Sequence, residues 1–119
     1  MRFMCLWRPG AKQTWKDHDP AEGQRLMVEM GKLIEDMKKS GVLIETGGWD
    51  PRSPSTVVSN AHGEVTVKDG PYSESKEVIA GFALIECKSR EEAIEHTKKF
   101  VRIAGDGTSE VRAIGGPQG

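Results

Sequence analysis

Two segments of the chain are apolar at almost every position, a pattern typical of strands that are covered on both faces. In residues 2–8, Phe3 and Trp7 fall on one face of an extended chain and Met4 falls on the other. Residues 78–87 show the same two-sided alternation. We therefore expect these two segments to be adjacent, parallel strands at the centre of a sheet.

Two helices are predicted from the spacing of apolar residues and from the residues at their ends. The first spans residues 20–39, where Asp19 is placed to cap the helix and Pro20 suits its first position. The second opens at the capping box of residues 89–92 and runs to Ala104. The apolar stripes are Leu26, Met27, Met30, Leu33, Ile34 and Met37 in the first helix and Ala93, Ile94, Thr97, Phe100, Val101 and Ala104 in the second.

The remaining strands are shorter. Residues 42–46 are predicted to form a strand after the first helix, and residues 110–114 a last strand after the second. Residues 56–59 and 64–68 are rich in β-branched side chains and flank a short link that contains glycine, which predicts a hairpin. The Pro-Gly pair at residues 9–10 is expected to end the first strand, leaving a polar, irregular segment before the first helix.

The order of these elements predicts an α+β fold. Without the inserted β-hairpin it is βαββαβ, the order of the ferredoxin-like fold. Right-handed crossovers place two helices on one face of an antiparallel sheet. The other face then exposes apolar residues of both central strands, Met4 or Phe3 with Phe82 or Ile85. Because monomers rarely expose a large apolar patch, we expect a homodimer formed through this face.

Composition narrows the class of protein. The 119 residues fit one domain, which we assign to residues 1–114, with residues 115–119 as a flexible tail. The net charge is −1, and because phosphate contact needs a concentrated positive patch we expect no nucleic-acid partner. Apolar runs fall short of the ~18 residues of a membrane span, and the N-terminal stretch is too short for a signal peptide. We expect a cytoplasmic protein without a membrane partner.

One stretch of nine residues is more specific than the rest of the chain. Residues 69–77, Asp-Gly-Pro-Tyr-Ser-Glu-Ser-Lys-Glu, are followed by Gly-Phe at residues 81–82. This sequence resembles the D-G-P-F-x-E-[ST]-K-E…G-[YF] signature of the DGPF subgroup of YCII-related proteins. The chain has Tyr72 where that subgroup usually has Phe, and Trp49 where it more often has Leu. Residues 1–4, 41–43, 89–93 and 110–112 are also similar to the family.

The resemblance implies both a fold and a range of functions. It implies a ferredoxin-like protomer that pairs into a dimeric α+β barrel. Members of the family are mostly uncharacterised bacterial proteins, and some are encoded beside sigma factors. A few relatives in the wider YCII superfamily act on small organic molecules with a His–Asp pair.

Asp69 and His18 are the candidate catalytic residues for such chemistry. Asp69 either acts as a general base or ligand acceptor at the mouth of a pocket, or accepts backbone hydrogen bonds that fix the Gly-Pro turn. His18 precedes the first helix and either reaches the end of the sheet or is an exposed loop histidine. The candidate ligand-binding residues are Tyr72, Glu74, Lys76 and Trp49, for which a loop ion pair and ordinary aromatic packing are the alternatives.

Other titratable residues are given structural roles. We expect His62 to be solvated in the hairpin turn, and His96 to form a surface pair with Glu92, four residues earlier. Cys5 and Cys87 are interpreted as buried, reduced thiols. No metal-ligand spacing and no nucleotide-binding motif occurs in the sequence, so we expect neither a metal nor a cofactor.

Two classes of function remain open. The first is a domain that binds a small organic molecule in a pocket near residues 69–76, with lyase or isomerase chemistry as a further step. The second is a non-catalytic regulatory or interaction module associated with transcription. A pocket that holds Asp69 and a histidine favours the first class, whereas a filled core with a flat apolar outer surface favours the second.

Overall fold

Two helices and six strands make up the part of the chain that the structure, a computed structural model, describes: residues 1–13, 20–49, 55–69 and 79–115. In chain order these elements are β1 (Arg2–Gln13), α1 (Pro20–Lys39), β2 (Leu43–Gly48), β3 (Thr56–Ala61), β4 (Glu64–Asp69), β5 (Gly81–Glu86), α2 (Arg90–Ala104) and β6 (Gly105–Ala113).

Strands β1 and β5 are the central pair of a four-stranded sheet with the order β2-β5-β1-β6, as predicted. Their predicted direction is wrong, because β1 and β5 are antiparallel, with Phe3 opposite Ile85 and Leu6 opposite Phe82. The connectivity explains the error. The α1 crossover brings the chain back so that β2 runs in the direction of β1, and β5 pairs antiparallel with β2. Strand β5 is therefore antiparallel to β1 as well.

Both helices pack on the same face of the sheet, as the ferredoxin-like order predicts. Helix α1 contacts β2 and α2, and α2 contacts β1 and β6. Phe3 and Ile85, opposite each other in the central strands, are only 1% exposed and form the core together with Ala93 of α2, which is fully buried. The chain therefore has the predicted α+β architecture, with the hairpin β3–β4 inserted between β2 and β5.

The first strand does not end at the Pro-Gly pair as expected. It continues to Gln13 and pairs with β6, with a shift in register between Pro9 and Gln13. The pairing of β1 with β5 stops at Trp7 and Gly81. Pro9 lies beyond this point, so the N–H that proline lacks is not needed for a hydrogen bond to β5. The last strand correspondingly begins at Gly105, five residues earlier than predicted.

The helix boundaries are predicted correctly, but the first apolar stripe is half-buried rather than buried, and one of its members is exposed. Helix α1 ends at a Schellman motif, in which Gly41 has a φ of +81° and the N–H of Val42 donates to the carbonyl of Met37 over 3.0 Å. Met27 is 68% exposed, so the half-buried stripe of α1 is narrower than predicted. The predicted cap of α1, Asp19, lies outside the described residues.

The predicted hairpin is present as a separate two-stranded sheet whose residues are all exposed. Its turn is His62-Gly63, with φ angles of +54° and +81°, which are the angles of a type I′ turn. The imidazole of His62 is exposed there, as expected. Neither helix among the described residues has the length and apolar character needed to cross a membrane.

Candidate functional site

A cavity of about 230 Å³ lies between the two helices and the sheet. Its floor is the helix-facing surface of the sheet, where alternate residues of each strand point toward the helices. Its roof is the apolar stripe of α1 and the sheet-facing side of α2. The main floor residues are Cys5, Trp7, Leu43, Ala83 and Ile85, and the roof residues are Leu33, Ile34, Met37, His96, Thr97 and Phe100.

Small residues keep one end of this cavity open. Strand β2 ends in Gly47-Gly48, which pair with Phe82 and Gly81 of β5, and all four residues line the cavity. A Cβ at Gly81 would lie 3.0 Å from the carbonyl oxygen of Gly47. The close approach of the two backbones therefore favours glycine here, and no side chain from Gly47, Gly48 or Gly81 fills the space.

An aromatic pair forms another part of the wall. The rings of Trp7 and Phe100 meet edge to face, with centroids 5.3 Å apart and planes 85° apart. Trp7 is only 7% exposed. The wall is therefore built from the first strand and the last helix, which the sheet topology brings together.

The hydroxyls of Thr46 and Thr97 and the thiol of Cys5 have partners within the protein, and the hydroxyl of Ser109 also lines the cavity. The Thr46 hydroxyl donates to the carbonyl of Phe82 over 2.9 Å, and the Thr97 hydroxyl donates to the carbonyl of Ala93 over 2.8 Å. The Cys5 sulfur lies 3.7 Å from Oγ1 of Thr97. Burial raises the pKa of the Cys5 thiol, and the Thr97 contact offsets this only in part. Cys5 is therefore a neutral thiol rather than a nucleophile at pH 7.

The polar group that stands out in the roof is the imidazole of His96. Its Nε2 lies 3.6 Å from Oε1 of Glu92, is sealed from solvent, and has no hydrogen-bond partner among the described residues. The other oxygen of Glu92 accepts the N–H of Lys88 over 3.2 Å, while the N–H of Glu92 donates to the Ser89 hydroxyl over 3.2 Å. The capping box of α2 therefore holds the carboxylate beside the imidazole.

His96 is the cavity residue that the sequence interpretation missed. The predicted pair with Glu92 is present, but it is not a surface pair on the histidine side, because the His96 side chain is only 19% exposed. A signal for this was available in the sequence. His96 directly precedes Thr97 and lies four residues before Phe100, so it borders the apolar stripe of its helix.

Asp69 lies at the end of β4, on the exposed hairpin. Its Oδ1 accepts a hydrogen bond of 2.8 Å from the hydroxyl of Thr56, the residue opposite it in β3. Asp69 is not among the described residues that line the cavity. The structure therefore supplies a structural partner for Asp69, and its role toward a ligand stays a prediction.

Trp49 is not among the described residues that line the cavity, but it contacts two residues that are. It is 50% exposed, and its ring meets Phe82 edge to face with centroids 5.6 Å apart. The backbone N–H of Trp49 donates to the carbonyl of Ala80, a cavity residue, over 2.8 Å. The other predicted site residues, His18, Tyr72, Glu74 and Lys76, lie outside the described residues, so their roles also stay predictions.

The described part of the chain contains no cluster of three or more His, Cys, Asp or Glu side chains that could hold a metal ion. Cys5 and Cys87 are both free and buried, as expected. The described cavity therefore has mainly apolar walls, with one imidazole and the hydroxyl and thiol groups of Thr46, Thr97, Ser109 and Cys5.

Comparison with known proteins identifies a family that matches most of the chain. Residues 1–115 match the family described as the YCII-related domain. The chain is also similar to an uncharacterized protein of Rhizobium meliloti (strain 1021), with 29% identity over 112 residues, covering 93% of this chain and 88% of the relative.

Proposed function

The chain belongs to the YCII-related family, and we propose that it binds a small, mainly apolar organic molecule in the cavity between its helices and its sheet. The observation that carries this proposal is the cavity itself. A well-packed core of this fold would leave no space between the layers, whereas this one leaves about 230 Å³.

The character of the walls supports an organic ligand. Most lining side chains are aliphatic or aromatic, and a smaller number of polar groups lie among them. Ligand sites in proteins are typically concave, mainly apolar and equipped with a few polar groups. The imidazole of His96 is such a group.

Binding of anisole, a neutral one-ring probe, tests the proposal. Isothermal titration calorimetry should show saturable binding of one molecule per chain. Ala83 lies on the cavity floor, so Ala83→Phe places a ring where the ligand would lie and should abolish binding. Ala61→Phe, the same change on the exposed hairpin, should leave binding intact.

Two results would contradict the proposal. One is the lack of saturable binding to the unmodified protein, and the other is equal binding by the Ala83→Phe variant. If the larger ring prevents folding, as a thermal melt would reveal, Ala83→Leu fills part of the cavity with a smaller side chain and should weaken binding instead.

A further inference from the structure

We propose that the ligand is a straight-chain amphiphile, a molecule with an unbranched apolar tail and one polar head group. It lies along the strands, with its tail inward and its head at the Gly47-Gly48 end of the cavity. The inference rests on the proposed binding function and names the chemical class of its ligand. It follows from where the cavity is closed, where it reaches the surface, and where its polar groups lie.

The strand register divides the helix-facing surface of the sheet into three rows that run across the strands. Residues directly opposite each other on neighbouring strands share a face of the sheet. The inner row is Leu43, Ile85, Phe3 and Ala113, the middle row is Thr46, Ala83, Cys5 and Val111, and the outer row is Gly48, Gly81, Trp7 and Ser109. The inner and outer rows are four residues apart on β1, which corresponds to about 13 Å of extended chain.

The cavity extends over all three rows, since its lining contains members of each. Helix α2 runs above the rows from the inner to the outer one. Its Thr97 lies 3.7 Å from the Cys5 sulfur in the middle row. Its Phe100 meets the ring of Trp7 in the outer row. A space of about 230 Å³ over this length is longer than it is wide, so an elongated molecule fills it better than a compact one.

The inner end of the cavity is closed and apolar. Phe3 and Ile85 are 1% exposed, and Leu43 is 7% exposed. Ile34 and Met37 of α1 pack against this cluster from the helix side. None of these five side chains carries a nitrogen or oxygen atom, so a polar group of the ligand would lose its hydration here without gaining a hydrogen bond. The apolar tail of the ligand therefore belongs at the inner row.

The outer end reaches the surface and is more polar. Among the described residues that line the cavity, Gly47 and Gly48 are the two exposed ones. Neither glycine has a side chain that could cover the opening. The hydroxyls of the cavity floor lie toward this end, because Ser109 belongs to the outer row and Thr46 to the middle row. A polar head group therefore keeps its contact with water at the outer end.

Calorimetric titration at pH 7 with 1-butanol, 1-hexanol, 1-octanol and 1-decanol tests the proposed tail. Each CH₂ group that enters the cavity should tighten binding by about four-fold, the effect of burying one methylene. The affinity should level off once the tail reaches the inner row.

The comparison of 1-hexanol with 1,6-hexanediol tests the proposed orientation. Both molecules have six carbons in an unbranched chain, but the diol carries a hydroxyl at each end. One of its hydroxyls has to enter the apolar inner end, so the diol should bind about ten-fold more weakly or worse, the effect of a buried hydroxyl without a partner.

A variant at the inner end should change the length of tail that fits. Leu43→Ala removes a side chain that closes the cavity, so the affinity should go on rising to longer alcohols than in the unmodified protein. Ile44→Ala is the matched control, because Ile44 is the next residue of β2, is 39% exposed and is not among the described cavity residues. It should leave the limiting tail length unchanged.

A variant at the outer end should obstruct the opening. A Cβ at Gly48 would lie 3.6 Å from the carbonyl oxygen of Ala80, an ordinary contact, so this position accepts a side chain. Gly48→Leu should weaken the binding of every alcohol in the series, whereas Gly48→Ala, which adds only a methyl group, should have a smaller effect.

The outcomes separate this inference from the binding function, which anisole tests. Affinities that do not depend on tail length, a diol that binds as tightly as 1-hexanol, or an unchanged limiting tail length in Leu43→Ala would overturn the inference. Unchanged binding by Gly48→Leu would overturn it as well. Failure of anisole and of every alcohol to bind would contradict the binding function, and the inference with it. If Leu43→Ala does not fold, Leu43→Val shortens the side chain by less and should shift the limiting tail length in the same direction.

Discussion

The indole ring of Trp7 lies directly against the backbone of Gly107, the residue that follows Asp106 in β6. A Cβ at Gly107 would lie 2.5 Å from Cη2 of Trp7 and 2.6 Å from the carbonyl oxygen of Arg8. Gly107 also has a φ of +150°, which favours glycine. Since Trp7 forms part of the cavity wall, this glycine helps to set the position of that wall.

Gly107→Ala should therefore destabilise the protein. The methyl group has to displace a buried indole and a backbone carbonyl, and overpacking of this kind costs about 1–3 kcal/mol. Gly31→Ala is the matched control, because Gly31 lies within α1 with no atom within 4 Å of an added Cβ. It should stabilise the protein by about 0.5–1 kcal/mol. Urea denaturation of both variants measures the two effects, and equal free energies of unfolding would contradict this account of Gly107.

The open face of the sheet should bind a second copy of the chain. Opposite the helices, Met4 pairs with Leu84 and Leu6 pairs with Phe82, and all four side chains remain half-buried on the single chain. Size-exclusion chromatography with light scattering at micromolar concentration should give about twice the chain mass of 13.1 kDa. A mass of one chain would contradict the prediction.

A charge placed on that face should separate the two copies. Leu84→Glu would bury an unpaired carboxylate at the contact, so its mass should fall to that of one chain. Gln24→Glu adds the same charge on the exposed side of α1 and should leave the mass unchanged. A dimer that survives Leu84→Glu would place the contact elsewhere.

Local signals predicted the fold well where a single element determines the outcome. The two-sided apolar pattern identified the central strands, and the Ser89 cap identified the start of α2. The direction of β5 and the extension of β1 past Pro9 depend on which strands become neighbours, and a one-dimensional pattern does not encode that. His96 borders the apolar stripe of its helix, which is a weak local signal, but its burial also depends on the strands beneath α2.

Alkaline pH should lower stability through the buried thiol of Cys5. In the unfolded chain a thiol ionises near its ordinary pKa of about 8.5, whereas burial raises the pKa of Cys5 in the folded protein. The contribution of this thiol to stability is fully present below the unfolded pKa and is lost as the pH rises toward the folded value. Denaturation at pH 7 and pH 10 should show a larger loss for the unmodified protein than for Cys5→Ala. Equal losses would show that Cys5 does not contribute.

Asp69→Asn distinguishes a structural from a ligand-directed role for this carboxylate. The change keeps the shape of the side chain and removes its charge, which should weaken the bond from Thr56 by roughly 0.5–1.5 kcal/mol. Amide hydrogen exchange in β3 and β4 should therefore become faster, while anisole binding in the cavity stays the same. Thr56→Val removes the donor of the same bond and is the matched variant. It should speed exchange similarly, and the double variant should add little to either change because both break one contact. Loss of anisole binding in Asp69→Asn with unchanged exchange would instead assign Asp69 to the ligand.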